Sequence, residues 1–216
     1  NNAIEIDPQS VFYSNRGNAK AKSGDNQGAL ADYNKAIAIN PQFAFAYSNR
    51  GKVKGYLGDA QGGITDYNKA IEIDPQDAVV YDNRGIAKRE SGDNQGAIAD
   101  FNKAITINPQ FASAFNNRGM AKYNLGDHQG AIADFNKAIE IDPQFAFAYS
   151  NRGVANLKLG NYQGTIADFN KAISIDPQHA DAYSNRGISK FLLNDKKGAC
   201  SDWKKSLSLG NKTTER

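Results

Sequence analysis

Between Ala44 and Leu57 the apolar residues Ala46, Tyr47, Val53 and Leu57 recur at helical spacing and form one stripe, which predicts a helix A over this stretch. Gly58 and Asp59 interrupt it: the glycine suits a left-handed stop, and the aspartate suits the N-cap of a second helix. A second stripe, Gly63, Ile64, Tyr67, Ala70 and Ile71, predicts a helix B over Gln61–Ile73, antiparallel to the first. Asp74 and Pro75 end it, because a residue before proline avoids helical geometry. The whole pattern returns every 34 residues, with the tripeptide Asn-Arg-Gly placing glycine at Gly17, Gly51, Gly85, Gly119, Gly153 and Gly187. A fixed period of that length marks a unit that cannot bury its apolar face alone, so the chain is predicted to be an all-α solenoid of stacked units.

Glycine inside a helix costs about 1 kcal/mol relative to alanine, so its presence in all six helices A implies a steric need. Helix B carries Gly63, or alanine at Ala29, Ala97, Ala131 and Ala199, near a recurring ring at Tyr33, Tyr67, Phe101, Phe135, Phe169 and Trp203. Close backbone approach is the expected reason. Before each glycine stands an arginine on the inward stripe: Arg16, Arg50, Arg84, Arg118, Arg152 and Arg186. A guanidinium there requires an acceptor, and each helix B offers one, at Asp32, Asp66, Asp100, Asp134, Asp168 and Asp202. The two rows predict a structural Arg–Asp ladder.

With Tyr47, Gly51, Gly63, Tyr67, Ala70 and Pro75 in place, the unit resembles the tetratricopeptide repeat over Ser10 to Asn211. That resemblance implies a right-handed superhelical solenoid of antiparallel helix pairs. It places repeats at 10–43, 44–77, 78–111, 112–145, 146–179 and 180–211, with 1–9 a remnant of a preceding repeat and 212–216 a tail. Two positions depart from the family pattern: arginine replaces the usual leucine, and lysine, as at Lys54 and Lys88, replaces the next aromatic.

Adjacent helix residues lie about 100° apart, so the asparagine beside each arginine belongs to another face. Asn15, Asn49, Asn83, Asn117, Asn151 and Asn185 form one row, which the family resemblance puts on the concave wall. The row resembles the asparagine ladder of the repeats in O-linked N-acetylglucosamine transferase, which implies a grip on an extended peptide backbone. An amide suits that task as both donor and acceptor. The flanking residues vary: Val11 and Asn18, Phe45 and Lys52, Val79 and Ile86, Ser113 and Met120, Phe147 and Val154, Asp181 and Ile188. A constant amide with variable neighbours is what peptide recognition requires. Lys22 and Tyr56 add polar contacts in the N-terminal half, and Tyr123 and Leu157 stand near the rim of the other. Repeats of chaperone adaptors use a similar asparagine to hold a C-terminal carboxylate, but the residues four before these asparagines are not basic, which argues against that use.

Composition narrows the partners. Of 216 residues, 26 are Lys or Arg and 23 are Asp or Glu, in register along the repeats, so nothing calls for nucleic acid. No apolar run reaches the ~18 residues of a membrane span. The lone Cys200, expected as a small core residue, leaves no disulfide framework and favours a reduced, cytoplasmic setting. His128 and His179 lack metal-ligand spacing and are expected as solvated loop residues, so neither a metal nor a cofactor is expected. Lys35, Lys69, Lys103, Lys137, Lys171 and Lys205 read as a solvated outer face of helix B.

The ends differ from the middle. Asn1–Pro8 matches Asn68–Pro75, so the chain is expected to open inside a preceding helix B, and a one-residue deletion before Gly17 predicts a distorted first loop. The last repeat, with Lys196, Lys197, Lys204 and Asn211 in place of proline, resembles a polar cap. The leading expectation is a non-enzymatic scaffold that binds an extended peptide or partner protein in its groove. A substrate-recruiting arm of a larger transferase and self-association through the uncapped N-terminal end are the alternatives.

Overall fold

The computed structural model describes residues 7–210, and among them every regular element is an α-helix. The remnant at residues 1–6, the proline-equivalent Asn211 and the tail at 212–216 lie outside the described residues. The chain forms two compact units, Asn1–Pro109 and Gln110–Arg216. The first holds α1 (Pro8–Lys22), α2 (Asn26–Ile39), α3 (Ala44–Tyr56), α4 (Ala60–Ile73), α5 (Ala78–Glu90) and α6 (Asn94–Ile107). The second holds α7 (Ala112–Asn124), α8 (His128–Ile141), α9 (Ala146–Lys158), α10 (Tyr162–Ile175), α11 (Ala180–Leu192) and α12 (Lys196–Ser208). Within each unit the odd-numbered helix packs on the even-numbered helix that comes after it, and α2, α4, α8 and α10 pack in turn on the next odd-numbered helix.

The helix ends obey the sequence. Gly58 adopts φ 85° and stops α3, and Asp59 then caps α4 by accepting from Gly62 N. Asn161 does the same for α10 at Gly164 N. Asp74, ahead of Pro75, is extended at φ −126° and closes α4. From Asp7 onward, the first repeat departs from the loop that precedes the other helices A. The deletion instead draws Pro8 into α1 as its first residue, where a missing N–H costs nothing, and Asp7 caps it from Gln9 N.

Every predicted arginine pairs with its aspartate. Arg84 donates from Nε to Asp100 Oδ2 at 2.9 Å and from Nη2 to Oδ1 at 2.5 Å, a bidentate fork. The other five pairs close at 2.5–2.6 Å. The lysine that departs from the family pattern completes the node: Lys88 Nζ reaches Asp100 Oδ2 at 2.8 Å, and Lys20, Lys54, Lys122 and Lys190 repeat the contact. In the fifth repeat Asn156 Nδ2 donates to Asp168 Oδ2 instead. Each guanidinium also stacks on the aromatic one turn earlier, as Arg84 does over Tyr81 at 5.5 Å.

A third bond carries the node into the neighbouring repeat. Arg50, Arg84, Arg152 and Arg186 each donate from Nη1 to an asparagine of the preceding helix B, respectively Asn34, Asn68, Asn136 and Asn170, at 2.6–2.7 Å. In α12 the corresponding position is Lys204, which is exposed.

The Arg16 fork, opposed by burial and aided by Lys20, holds the Asp32 carboxyl down at about 2. A carboxylate depressed in the fold contributes stability that is present above its ordinary value near 4 and lost as pH falls toward 2. The Asp32→Asn variant is therefore expected to be less stable than the parent at pH 7. The difference should shrink between pH 4 and pH 2 in urea denaturation series, and a constant difference would show that the pair does not titrate with folding.

The small positions serve close packing. A Cβ on Gly85 would stand 2.6 Å from the Phe101 ring, which is fully buried. Thr165, overlooked among the small residues of helix B, fits because its buried Oγ1 bonds Gly153 O at 3.2 Å. Two sequence readings are corrected. Cys200 is exposed and not core, because its flank position is only half-buried even for Ile166, and among the described residues α12 packs chiefly on α11. His128 and His179 are half-buried, not solvated: each sits at a helix start against a ring, Tyr123 at 4.8 Å and Phe147 at 5.5 Å. Of the outer lysines, Lys69 and Lys137 pair with Glu72 and Glu140, and Lys35 lies over Tyr13.

Candidate functional site

Stacking of the odd-numbered helices leaves clefts between their asparagine-bearing faces. In the first unit, α1, α2 and α3 enclose a cleft of about 360 Å³ lined by Asn18, Lys22, Tyr33, Asn49, Lys52 and Tyr56, with Ala21 and Val53 at its floor. Its polarity is partly satisfied from within: Tyr33 Oη donates to Asn18 Oδ1 at 2.6 Å, and burial pushes the phenol up to about 12. Asn49 Nδ2 donates one turn back to Phe45 O at 3.0 Å, which fixes the amide and leaves its Oδ1 without a partner among the described residues.

Next to it, α3, α4 and α5 enclose a cleft of about 370 Å³. Gly51, Gly55, Ala60 and Gly63 line it together with Tyr56, Tyr67, Ile86 and Ala87, and Lys52, Asn83 and Glu90 bring polar ends. A Cβ on Gly55 would meet nothing within 4 Å, so that residue widens the opening. Tyr67 is 4% exposed, and its hydroxyl has no hydrogen-bond partner among the described residues. Burial raises its pKa, and Tyr56, Asp66 and Glu90 add to the rise.

In the second unit, Met120, Tyr123 and Asn124 of α7, Phe135 of α8, and Asn151 and Val154 of α9 line a smaller and mostly apolar cleft of about 210 Å³. There Asn151 Nδ2 donates to the buried Asn116 Oδ1 at 2.9 Å, so this amide also supports the packing.

The predicted site residues therefore divide. Asn49, Lys52, Asn83 and Ile86 come together along the first unit's clefts, and Met120, Tyr123, Asn151 and Val154 meet in the second. Asn15, Asn117, Asn185 and Ile188 keep their row positions on α1, α7 and α11 but line none of these clefts. Phe45, Val79 and Phe147 are exposed on the first turns of α3, α5 and α9, with Phe45 6.0 Å from Phe43. Sequence reasoning overlooked Gly55, Tyr67 and Glu90 as groove groups. The available signal was Gly55, which stands where later repeats place Tyr123, Leu157 and Phe191.

Comparison with known proteins accords with this architecture. Models of the tetratricopeptide repeat match residues 17–58, 46–77, 85–126, 112–145 and 146–179. Among solved structures, a MamA protein is 27% identical, covering 80% of this chain and 94% of its own, with a TM-score of 0.67. PilW, described as a type IV pilus biogenesis factor, superposes with a TM-score of 0.84 at 19% identity over 91% of both chains. YrrB, described as a repeat protein with an unusual peptide-binding site, gives 0.64 at 22% identity over 84% of this chain and 93% of its own. No curated protein sequence matches the chain significantly.

Proposed function

The chain belongs to the tetratricopeptide repeat family, and from that premise we infer that it is a non-enzymatic interaction scaffold whose clefts hold an extended segment of a partner protein. Repeats of this family serve as protein-interaction modules. The observation that carries the finer reading is the first unit's pair of clefts, where Asn49 and Asn83 stand at a fixed place beside side chains that differ from repeat to repeat. Asn83 makes no side-chain hydrogen bond among the described residues, and Asn49 Oδ1 has no partner among them. Backbone amides of an extended segment supply the complementary groups.

The test is a double substitution, Asn49→Ala with Asn83→Ala. Substitutions away from buried contacts cost within about 0.5 kcal/mol each, so the melting temperature should hardly move. A partner captured from the native source by the parent should bind the variant roughly 5- to 100-fold more weakly in calorimetry, since each lost hydrogen bond forfeits about 0.5–1.5 kcal/mol. Equal affinities would remove the clefts from consideration as the docking place.

A further inference from the structure

We propose that the cleft between α3, α4 and α5 receives an arginine side chain of the bound segment, with Glu90 pairing with the guanidinium, Asn83 and Tyr67 accepting hydrogen bonds from it, and Tyr56 stacking on its face. The proposal rests on the groove reading above and adds the chemistry of one subsite.

The molecule itself shows how this chain holds a guanidinium. Arg50 lies against the Tyr47 ring at 5.4 Å, forks onto the carboxylate of Asp66, and gives its remaining nitrogen to the amide of Asn34. Aromatic, carboxylate and amide recur around Arg84, Arg152 and Arg186. The cleft presents the same three kinds of group: Tyr56 and Tyr67, Glu90, and Asn83. The Tyr67 hydroxyl has no protein partner among the described residues and stays open to the cleft, so it can accept a hydrogen bond from whatever enters. Gly55, where a Cβ would meet nothing within 4 Å, leaves the room that a long side chain needs.

Lys52 lines the cleft, and Arg89 stands next to its carboxylate. Arg89 Nη2 approaches Glu90 Oε1 only at 4.0 Å, beyond hydrogen-bond reach, so the carboxylate keeps its capacity for a bidentate partner. Lys52 is exposed, with Nζ 5.9 Å from the centre of the Tyr56 ring. It is the competitor for that ring, and an entering guanidinium displaces it into solvent.

The experiment titrates the isotope-labelled chain with acetyl-Ala-Ala-Arg-Ala-Ala-amide and with its citrulline, glutamate and phenylalanine counterparts, and monitors the backbone amides of Gly55, Gly63 and Ala87. Citrulline keeps the shape of arginine and removes the charge. The arginine peptide should produce saturable shifts there and bind at least about fivefold more tightly than the citrulline peptide. Glu90→Gln should abolish that preference, and Lys52→Ala should strengthen arginine binding. Equal binding of arginine and citrulline, a preference for glutamate, or indifference to Glu90→Gln would overturn the proposal. Should the phenylalanine or glutamate peptide shift Asn49 and Asn83 without any preference for arginine, the subsite fails while the groove reading stands. Silence with all four peptides counts against both.

Discussion

Replacing Arg84 by leucine is expected to lower the stability of the fold by about 3–5 kcal/mol, the cost of stripping a buried carboxylate of its forked partner. Asp100 is 5% exposed and accepts two bonds from Arg84 and one contact from Lys88, so lysine alone would remain to balance it. The substitution also cuts the bond to Asn68 across the repeat boundary. Asp100→Leu should cost a similar amount, because two cations then lose their acceptor. The double variant should be much less destabilised than the sum, since an apolar pair of similar volume replaces a desolvated ionic one. Urea denaturation of the four proteins measures the coupling. Additive losses would mean that the ladder fixes geometry without contributing to stability.

Phe101→Ala is expected to cost about 3–5 kcal/mol, through lost burial and the cavity left behind. The ring is 0% exposed and fills the space that Gly85 keeps open. Gly85→Ala in the parent should cost about 1–3 kcal/mol by overpacking, because its Cβ would press to 2.6 Å from that ring. In the Phe101→Ala background the same substitution should cost almost nothing, or stabilise through the better helix propensity of alanine. Thermal melts of the four chains decide the matter, and an undiminished penalty in the truncated background would show that the glycine answers to something other than the ring.

These two experiments probe what the sequence made readable. The 34-residue beat, the glycine–aromatic contact and the Arg–Asp register all come from rules local to one repeat, because helical spacing fixes which side chains share a face. The relay through Asn34, Asn68, Asn136 and Asn170 was not legible. Those asparagines sit on the exposed side of helix B when one repeat is considered by itself, and only the neighbour's arginine gives them a role. The groove was partly legible for a similar reason. Position along helix A put Asn49 and Asn83 in one row, and both line clefts, whereas the opening beside them depends on what is missing at Gly55 and on which amides turn inward as Asn151 does. Cys200 and the two histidines were misjudged because half-burial at a flank or a helix start depends on the adjoining helix, not on the residue's own polarity.

The relay gives the repeats matching edges, like interchangeable bricks with a peg on one side and a socket on the other. Arginine is the peg and asparagine the socket, so a repeat can be gained or lost within either unit without inventing a new junction. Lys204 breaks that interchangeability. A repeat bearing lysine at the socket cannot precede one bearing the arginine peg without setting two cations face to face. Copying a repeat within either unit is therefore neutral to its joints, while moving the repeat that bears Lys204 inward is not.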